Sequence, residues 1–107
     1  MHIVNLTPHE IRVVIGEEVW TFPPTTPAAR VKTNNVLIGM VDEFPLYQVV
    51  YEDIEGLPDP MEDTVYVVSA IVATAVKDRP DVVAPDTGST SIRLANGLFA
   101  VRGFLKY

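Results

Sequence analysis

The chain has 107 residues, 48% hydrophobic and 21% charged, which is enough for one folded domain and too short for a second core of ordinary size. Its net charge of −6 and its scattered basic residues argue against direct binding to nucleic acid. The chain contains no cysteine, which excludes disulfides and cysteine-ligated metal sites and fits a reducing compartment.

The N-terminal sequence MHIVNLTPHE lacks the basic region and long apolar run of a signal peptide. No apolar stretch approaches the roughly 20 residues that a membrane-spanning helix needs. The sequence therefore predicts a cytoplasmic protein. We expect neither a membrane nor a nucleic acid among its partners.

The first thirty residues alternate between β-forming runs and turns. The runs HIVNL, IRVVI and VWTF are separated by Thr7-Pro8-His9 and by Gly16-Glu17-Glu18. The following stretch, PPTTPAAR, is too rich in proline to supply a continuous row of hydrogen-bond donors. The pattern predicts two or three antiparallel strands and then a surface loop.

Two longer β-forming runs come next. VKTNNVLIGMV and LYQVVYED predict a pair of strands connected by residues 42–45, with the polar positions Lys32, Asn34, Gln48 and Glu52 on one face. The stretch IEGLPDPMEDT then combines two prolines, a glycine and four acidic residues. It predicts a solvated loop within the single domain.

The segment VYVVSAIVATAVKDRP is the most apolar part of the chain, and it leaves two interpretations open. Its β-branched residues favour a strand. From Val68, however, the apolar positions follow a helical stripe, with Ser69 at an N-cap position and Pro80 beyond the end. We predict a strand over 65–68 that leads into a helix at about 69–77, with one long strand as the alternative.

The last segment, SIRLANGLFAVRGF, contains two strand-like runs joined by Asn96-Gly97, a pair typical of type I′ hairpins. The sequence thus predicts a C-terminal hairpin that turns at these residues. Taken over 1–107, the pattern indicates a single mainly β or α+β domain. We expect a twisted antiparallel sheet or a partly open barrel of six to seven strands with one short helix.

The tetrapeptide Asp86-Thr87-Gly88-Ser89 has the letters of an aspartic-protease catalytic loop. Only about twenty residues follow Asp86, and the predicted hairpin occupies most of them, which leaves no room for the flap and supporting motif of such enzymes. Pro85, Asp86 and Gly88 are also good turn formers. We therefore predict a turn here, and we assign no catalytic residue.

A ligand site is predicted where the Thr7-Pro8-His9 turn meets the segment 78–93. In these two places polar, conformationally restricted residues interrupt the β-forming runs. The arginines could clamp a small anion, and hydroxyl groups could complete its coordination. The candidate ligand-binding residues are His9, Arg79, Asp86, Thr87 and Arg93. No metal-ligand spacing occurs around the two histidines, so no metal and no cofactor is expected.

The motifs NLTPHEIRV, GLPDP, VYVVSAIVATAV and DRPDVVAPDTGSTSIR…G…AVRGF occur in this order along the chain. Together they resemble a family of short proteins found in bacteriophages and in bacterial genomes, often actinobacterial, for which no activity is settled. The resemblance spans nearly the whole chain. It implies a phage or prophage accessory protein, located in the host cytoplasm if a phage encodes it, and it does not imply a reaction.

Two classes of function remain open. The one that the sequence favours is a non-enzymatic binding module for a host protein or a small anionic ligand, acting alone or as a homo-oligomer. The alternative is a small hydrolase that uses His9 and an aspartate of the 78–86 segment on a nucleotide-like or ester substrate. The sequence contains no complete catalytic motif such as G-x-S-x-G, which favours the first class.

Overall fold

The computed structural model describes residues 1–88 and 91–107, and within them the chain forms ten β-strands and one α-helix. The strands are β1 (His2–Asn5), β2 (Ile11–Ile15), β3 (Glu18–Phe22), β4 (Arg30–Val41), β5 (Phe44–Glu55), β6 (Thr64–Val67), β7 (Val82–Pro85), β8 (Ile92–Arg93), β9 (Phe99–Ala100) and β10 (Phe104–Leu105). The helix is α1 (Ala70–Ala75). Among the described residues, no helix is both long enough and apolar enough to cross a lipid bilayer.

A four-stranded mixed sheet in the order β1-β6-β7-β10 forms the centre of the molecule. Strands β1, β6 and β7 run parallel, and β10 is antiparallel to β7. Because α1 connects the parallel strands β6 and β7, these three elements form a β-α-β unit. Both faces of such a strand pair are covered, which explains the continuous apolar run in the sequence.

The core has two parts, one on each face of the central sheet. Alternate residues of a strand point to opposite faces, so Tyr66 and Val68 lie on the side of α1 while Val67 lies on the other. The first cluster contains Leu6, Ala29, Tyr66, Val68, Val72, Ala73, Val82 and Ala84. The second contains Ile11, Val13, Val67 and Val101, with β2 as its outer layer.

Strands β4 and β5 form a separate two-stranded antiparallel ribbon, which we call the arm (residues 30–55). Each strand has 12 residues, and the two are joined by Asp42-Glu43, with Asp42 at a φ of 53°. Val31 and Ile54 at the base of the arm pack against the first core cluster. The arm contributes to an elongated molecule of 52 × 35 × 23 Å.

The prediction of a mainly β single domain with one short helix is confirmed, and the sheet arrangement differs in detail. The strands form four small sheets, none of which closes into a barrel among the described residues. The predicted single antiparallel sheet is replaced because β1 does not form a hairpin with β2. It pairs in parallel with β6, to which Leu6 N continues the ladder by donating to Val67 O at 2.8 Å.

The strand-then-helix prediction for residues 65–77 is confirmed, although the helix is shorter than predicted. It spans Ala70–Ala75, and Ser69 occupies the N-cap position without a capping hydrogen bond from its side chain. Val76 leaves the helical conformation with a φ of −118°. The chain turns there towards β7, since Arg79 N donates to Val76 O at 2.8 Å.

The C-terminal hairpin is present between β8 and β9, but its turn is not of type I′. Gly97 N donates to Leu94 O at 2.9 Å, which places Ala95 and Asn96 at the centre of the turn. Only Gly97 has a positive φ, of 84°, whereas a type I′ turn needs positive φ at both central residues. The geometry is that of a type I turn followed by a glycine bulge, with Leu98 N donating to the side chain of Asn96.

Candidate functional site

The N-terminal turn is organised by one buried polar side chain, Asn5, which is 2% exposed. Its Nδ2 donates to the carbonyl oxygens of His9 (2.8 Å) and Phe22 (2.9 Å). Its Oδ1 accepts from the backbone N–H (3.0 Å) and the hydroxyl (2.7 Å) of Thr7. Both donors and both acceptor sites of this amide are therefore used. These hydrogen bonds hold the turn that carries His9 in place.

An open cavity of about 700 Å³ lies beside this turn. Its wall includes His9 after β1, Ser69 after β6 and Thr87 after β7. These three strands run parallel, so their carboxyl ends meet at one edge of the sheet. In open sheets with parallel strands this edge is where ligands commonly bind.

Most of the surface of the cavity wall is apolar, and Pro8, Ile11, Phe99 and Val101 contribute to it. The hydroxyl-bearing residues Thr7, Ser69, Thr87 and Ser91 also line the cavity. Arg12 also lines the cavity, but its guanidinium forms an ion pair with Glu10. The cavity therefore fits a small molecule with an apolar body and a polar edge better than a bare anion.

Arg79 lies outside the cavity wall. It precedes β7 while Thr87 follows it, so the two residues lie at opposite ends of that strand. Its guanidinium donates to both carboxylate oxygens of Asp81, at 2.9 and 2.7 Å, and lies 6.0 Å from the centre of the Tyr66 ring. The hydrogen bonds from Arg79 hold the pKa of Asp81 below its usual range, and those to Asp81 raise the pKa of Arg79.

The other two candidate residues take part in local structure. Asp86 Oδ1 accepts from Gly88 N at 3.4 Å, which is the turn geometry expected for this tetrapeptide. Arg93 lies in the hairpin, where it donates to Gly97 O at 3.1 Å and stacks 4.2 Å from the centre of the Phe99 ring. Of the five predicted residues, the cavity wall thus brings together His9 and Thr87.

Two further sequence predictions touch this region. Ser89, the last residue of the Asp-Thr-Gly-Ser tetrapeptide, lies outside the described residues. Within 1–88 and 91–107, no three His, Cys, Asp or Glu side chains come together as a metal-binding group.

The arm is the second candidate site, and its composition sets it apart. Residues 33–41 and 44–51 contain no Asp, Glu, Lys or Arg, whereas the whole chain is 21% charged. Apart from Gly39, every residue of these two segments is exposed. Phe44 beside the tip has 68% of its surface exposed.

Both faces of the arm are apolar. Cross-strand partners share a face, and successive residues alternate between faces. One face carries the exposed side chains of Leu37, Met40, Tyr47, Val49 and Tyr51. The other carries Val36, Val41, Phe44, Leu46 and Val50. Exposed apolar patches of this extent are uncommon on monomeric proteins, which makes the arm a candidate interaction surface.

Sequence reasoning predicted the two strands of the arm but missed the surface that they form. The polar residues Lys32, Asn34 and Gln48 favoured the interpretation that one face of this strand pair is polar. These residues do share a face, but apolar residues lie among them. One feature of the sequence could have revealed this surface. The two strands carry no charged residues in the segments 33–41 and 44–51, and they also lack the alternation of apolar and polar residues that a strand with one buried face shows.

Comparison of the chain with protein-family models, with curated proteins and with solved structures gave no match in any of the three.

Proposed function

We propose that this protein is a non-enzymatic binding module that uses its arm to hold another protein chain. The observation that carries the proposal is the uncharged, exposed surface on both faces of β4 and β5. The resemblance to phage and prophage proteins supports an accessory role in a phage or prophage. A host protein is one class of partner that this surface would suit.

The physical argument concerns what an isolated ribbon needs. A two-stranded hairpin is at best marginally stable in water, and large apolar patches on monomers usually mark interaction sites. Among the described hydrophobic residues of the arm, Val31 and Ile54 at its base are the ones that pack against the first core cluster. Burial of the remaining apolar side chains by a partner stabilises both the arm and the complex.

The test is photo-cross-linking from the arm inside the cell that produces the protein. A photoreactive phenylalanine analogue replaces Tyr47 on the arm in one variant and Tyr107, of similar exposure, in a control. We expect residue 47 to cross-link to a protein, with residue 107 giving a much lower yield. Equal yields from the two positions would contradict the proposal.

A second candidate function is small-molecule binding in the cavity at the carboxyl ends of β1, β6 and β7. The wall formed by His9, Thr87 and the apolar residues favours it. Inorganic phosphate and benzoate serve as probes, one a bare anion and the other an anion with an apolar body. Benzoate should shift the amide signals of His9 and Thr87 in a titration more strongly than phosphate, and no shift with either would reject the site.

A further inference from the structure

We propose that the chain which covers the arm is a second copy of this protein, with the two arms packed against each other in antiparallel orientation about a twofold axis. This inference rests on the proposed function and names the partner for it. It makes the protein a dimer whose arms bury one another. The argument comes from area, from shape and from charge.

The area of the arm matches what a stable dimer needs. Strands of 12 residues at ~3.3 Å per residue are ~40 Å long, and two strands at ~4.8 Å spacing give a face of ~400 Å². The arm-to-arm contact covers one of these faces on each partner, and the protruding side chains make the accessible surface of that face larger than its flat outline. The second face is available to the body of the other copy, and the two faces together reach the ~800 Å² that each partner contributes to a standard interface.

The shape of the arm suits a symmetric contact. Each face carries large side chains from both strands, for example Leu37 and Tyr47 on one face and Val36 and Leu46 on the other. A twofold axis places the same surface on both partners, so each apolar row meets an identical row running the opposite way. Sheets that pack face to face in this manner interdigitate their side chains about 10 Å apart.

Charge favours the antiparallel orientation. The tip carries two acids, Asp42 and Glu43, and a parallel alignment would bring the two acidic tips together. The base carries charges of both signs: the cations Arg30 and Lys32 on β4, and the acids Glu52, Asp53 and Glu55 on β5, of which Glu55 pairs with Arg30 at 3.0 Å. The antiparallel alignment separates the tips and places each beside a base whose charges nearly cancel, with Lys32 as its nearest cation outside that ion pair.

The overall charge also favours the arm as the contact between two copies. Each copy carries a net charge of −6, so most contacts between their bodies would place acid near acid. The uncharged segments 33–41 and 44–51 avoid this repulsion.

The first experiment measures mass by sedimentation over a concentration series. The wild-type chain of 11.8 kDa should approach twice that mass as its concentration rises. Leu37→Lys, on the arm, should raise the dissociation constant at least tenfold. Ile15→Lys, an equally exposed apolar position outside the arm, should leave the constant unchanged and so controls for added charge.

The second experiment determines orientation, using the absence of native cysteine. Asn35→Cys and Gln48→Cys lie at the middle of the arm on opposite faces, and Glu43→Cys lies at its tip. With a short thiol-to-thiol cross-linker, two chains of at least one of the middle variants should be joined to each other. Two Glu43→Cys chains should not be joined to each other. In a mixture of the two variants, a Glu43→Cys chain should be joined to a Lys32→Cys chain.

A wild type that stays at 11.8 kDa across the series overturns the inference, and efficient tip-to-tip linking of Glu43→Cys overturns the antiparallel arrangement. Failure of this inference is distinct from failure of the proposed function. A monomeric protein whose residue 47 cross-links to a different protein in the cell rejects the second copy and keeps the binding module. A monomer with no specific cross-link from residue 47 rejects both.

Discussion

Leu37 and Tyr47 are cross-strand partners at the middle of the arm, and both side chains are more than half exposed, at 59% and 54%. In an ordinary antiparallel sheet, one face packs on the core of the protein and an apolar pair such as this one is buried on that face. Here, within the part of the chain that the structure describes, the arm residues that pack on the first core cluster are Val31 and Ile54 at its base. The arm and the body should therefore respond differently to mutation.

The first prediction compares an arm residue with a core residue. Leu37→Ala should change the free energy of unfolding of the monomer by less than about 0.5 kcal/mol, because the side chain is exposed there. Val72→Ala removes a fully buried side chain from the first core cluster and should cost about 2 kcal/mol. Urea unfolding at low protein concentration measures both values. Equal losses would mean that the monomer buries Leu37.

The second prediction concerns the amide beneath the His9 turn. Asn5→Ala removes a buried amide and leaves the partly buried carbonyls of His9 and Phe22 without their donor, which should cost about 3 kcal/mol. Asn34→Ala, at an exposed position in β4, is the matched control and should cost less than about 0.5 kcal/mol. Thermal unfolding measures both variants. A small loss for Asn5→Ala would show that the turn is held by other contacts.

The third prediction concerns Gly56, which follows β5 at the base of the arm. Its φ is +81°, and a Cβ there would lie 2.8 Å from the carbonyl oxygen of Ala28. Gly56→Ala should therefore cost about 3 kcal/mol, since it adds a backbone clash to the ~1 kcal/mol penalty of the left-handed conformation. Chemical unfolding provides the measurement.

Two other glycines separate the effect of the backbone clash from that of the left-handed conformation. Gly97 has a φ of +84°, but a Cβ there meets nothing within 4 Å among the described residues, so Gly97→Ala should cost only about 1 kcal/mol. Gly39 has neither feature, and Gly39→Ala should be within about 0.5 kcal/mol of the wild type. If Gly56→Ala were no worse than Gly97→Ala, the close approach to Ala28 would not matter.

The fourth prediction concerns the ion pair of Arg79 and Asp81. Folding lowers the pKa of the Asp81 carboxyl, so this group stabilises the folded protein at pH values above the usual pKa of an aspartate. The stabilisation is lost as the pH falls through the lowered pKa. Asp81→Asn should cost about 1 to 2 kcal/mol at pH 7. The difference from the wild type should shrink steadily below about pH 4. Unfolding at pH 7, 4 and 2 tests this, and a difference that is the same at every pH would contradict it.

Local chemistry made much of the fold predictable. Asn96-Gly97 located the C-terminal hairpin, and the stripe after Ser69 located the helix. The turn type was missed because Asn96 keeps a negative φ and uses its side chain to accept from Leu98 N instead. The mixed sheet was missed because parallel pairing, such as that of β1 with β6, joins residues about sixty positions apart and leaves no local signal.

The candidate site was predictable only in part. His9 and Thr87 come together because each follows a parallel strand at the same sheet edge. Arg79 has a near neighbour in sequence, Asp81, and an ion pair between residues two positions apart forms more easily than a long-range ligand clamp. The apolar surface of the arm is exposed because the rest of the domain leaves both of its faces uncovered. A pattern of strand-forming residues does not show which faces other elements will cover.

The most direct measurement of the central claim is backbone hydrogen exchange of the arm as a function of protein concentration. If two copies bury each other's arms, the paired amides within 33–41 and 44–51 exchange more slowly as the concentration rises, while β6 and β7 in the core keep their rates. The same concentration dependence should be absent in Leu37→Lys. Exchange in the arm that is fast and identical at every concentration would contradict the account.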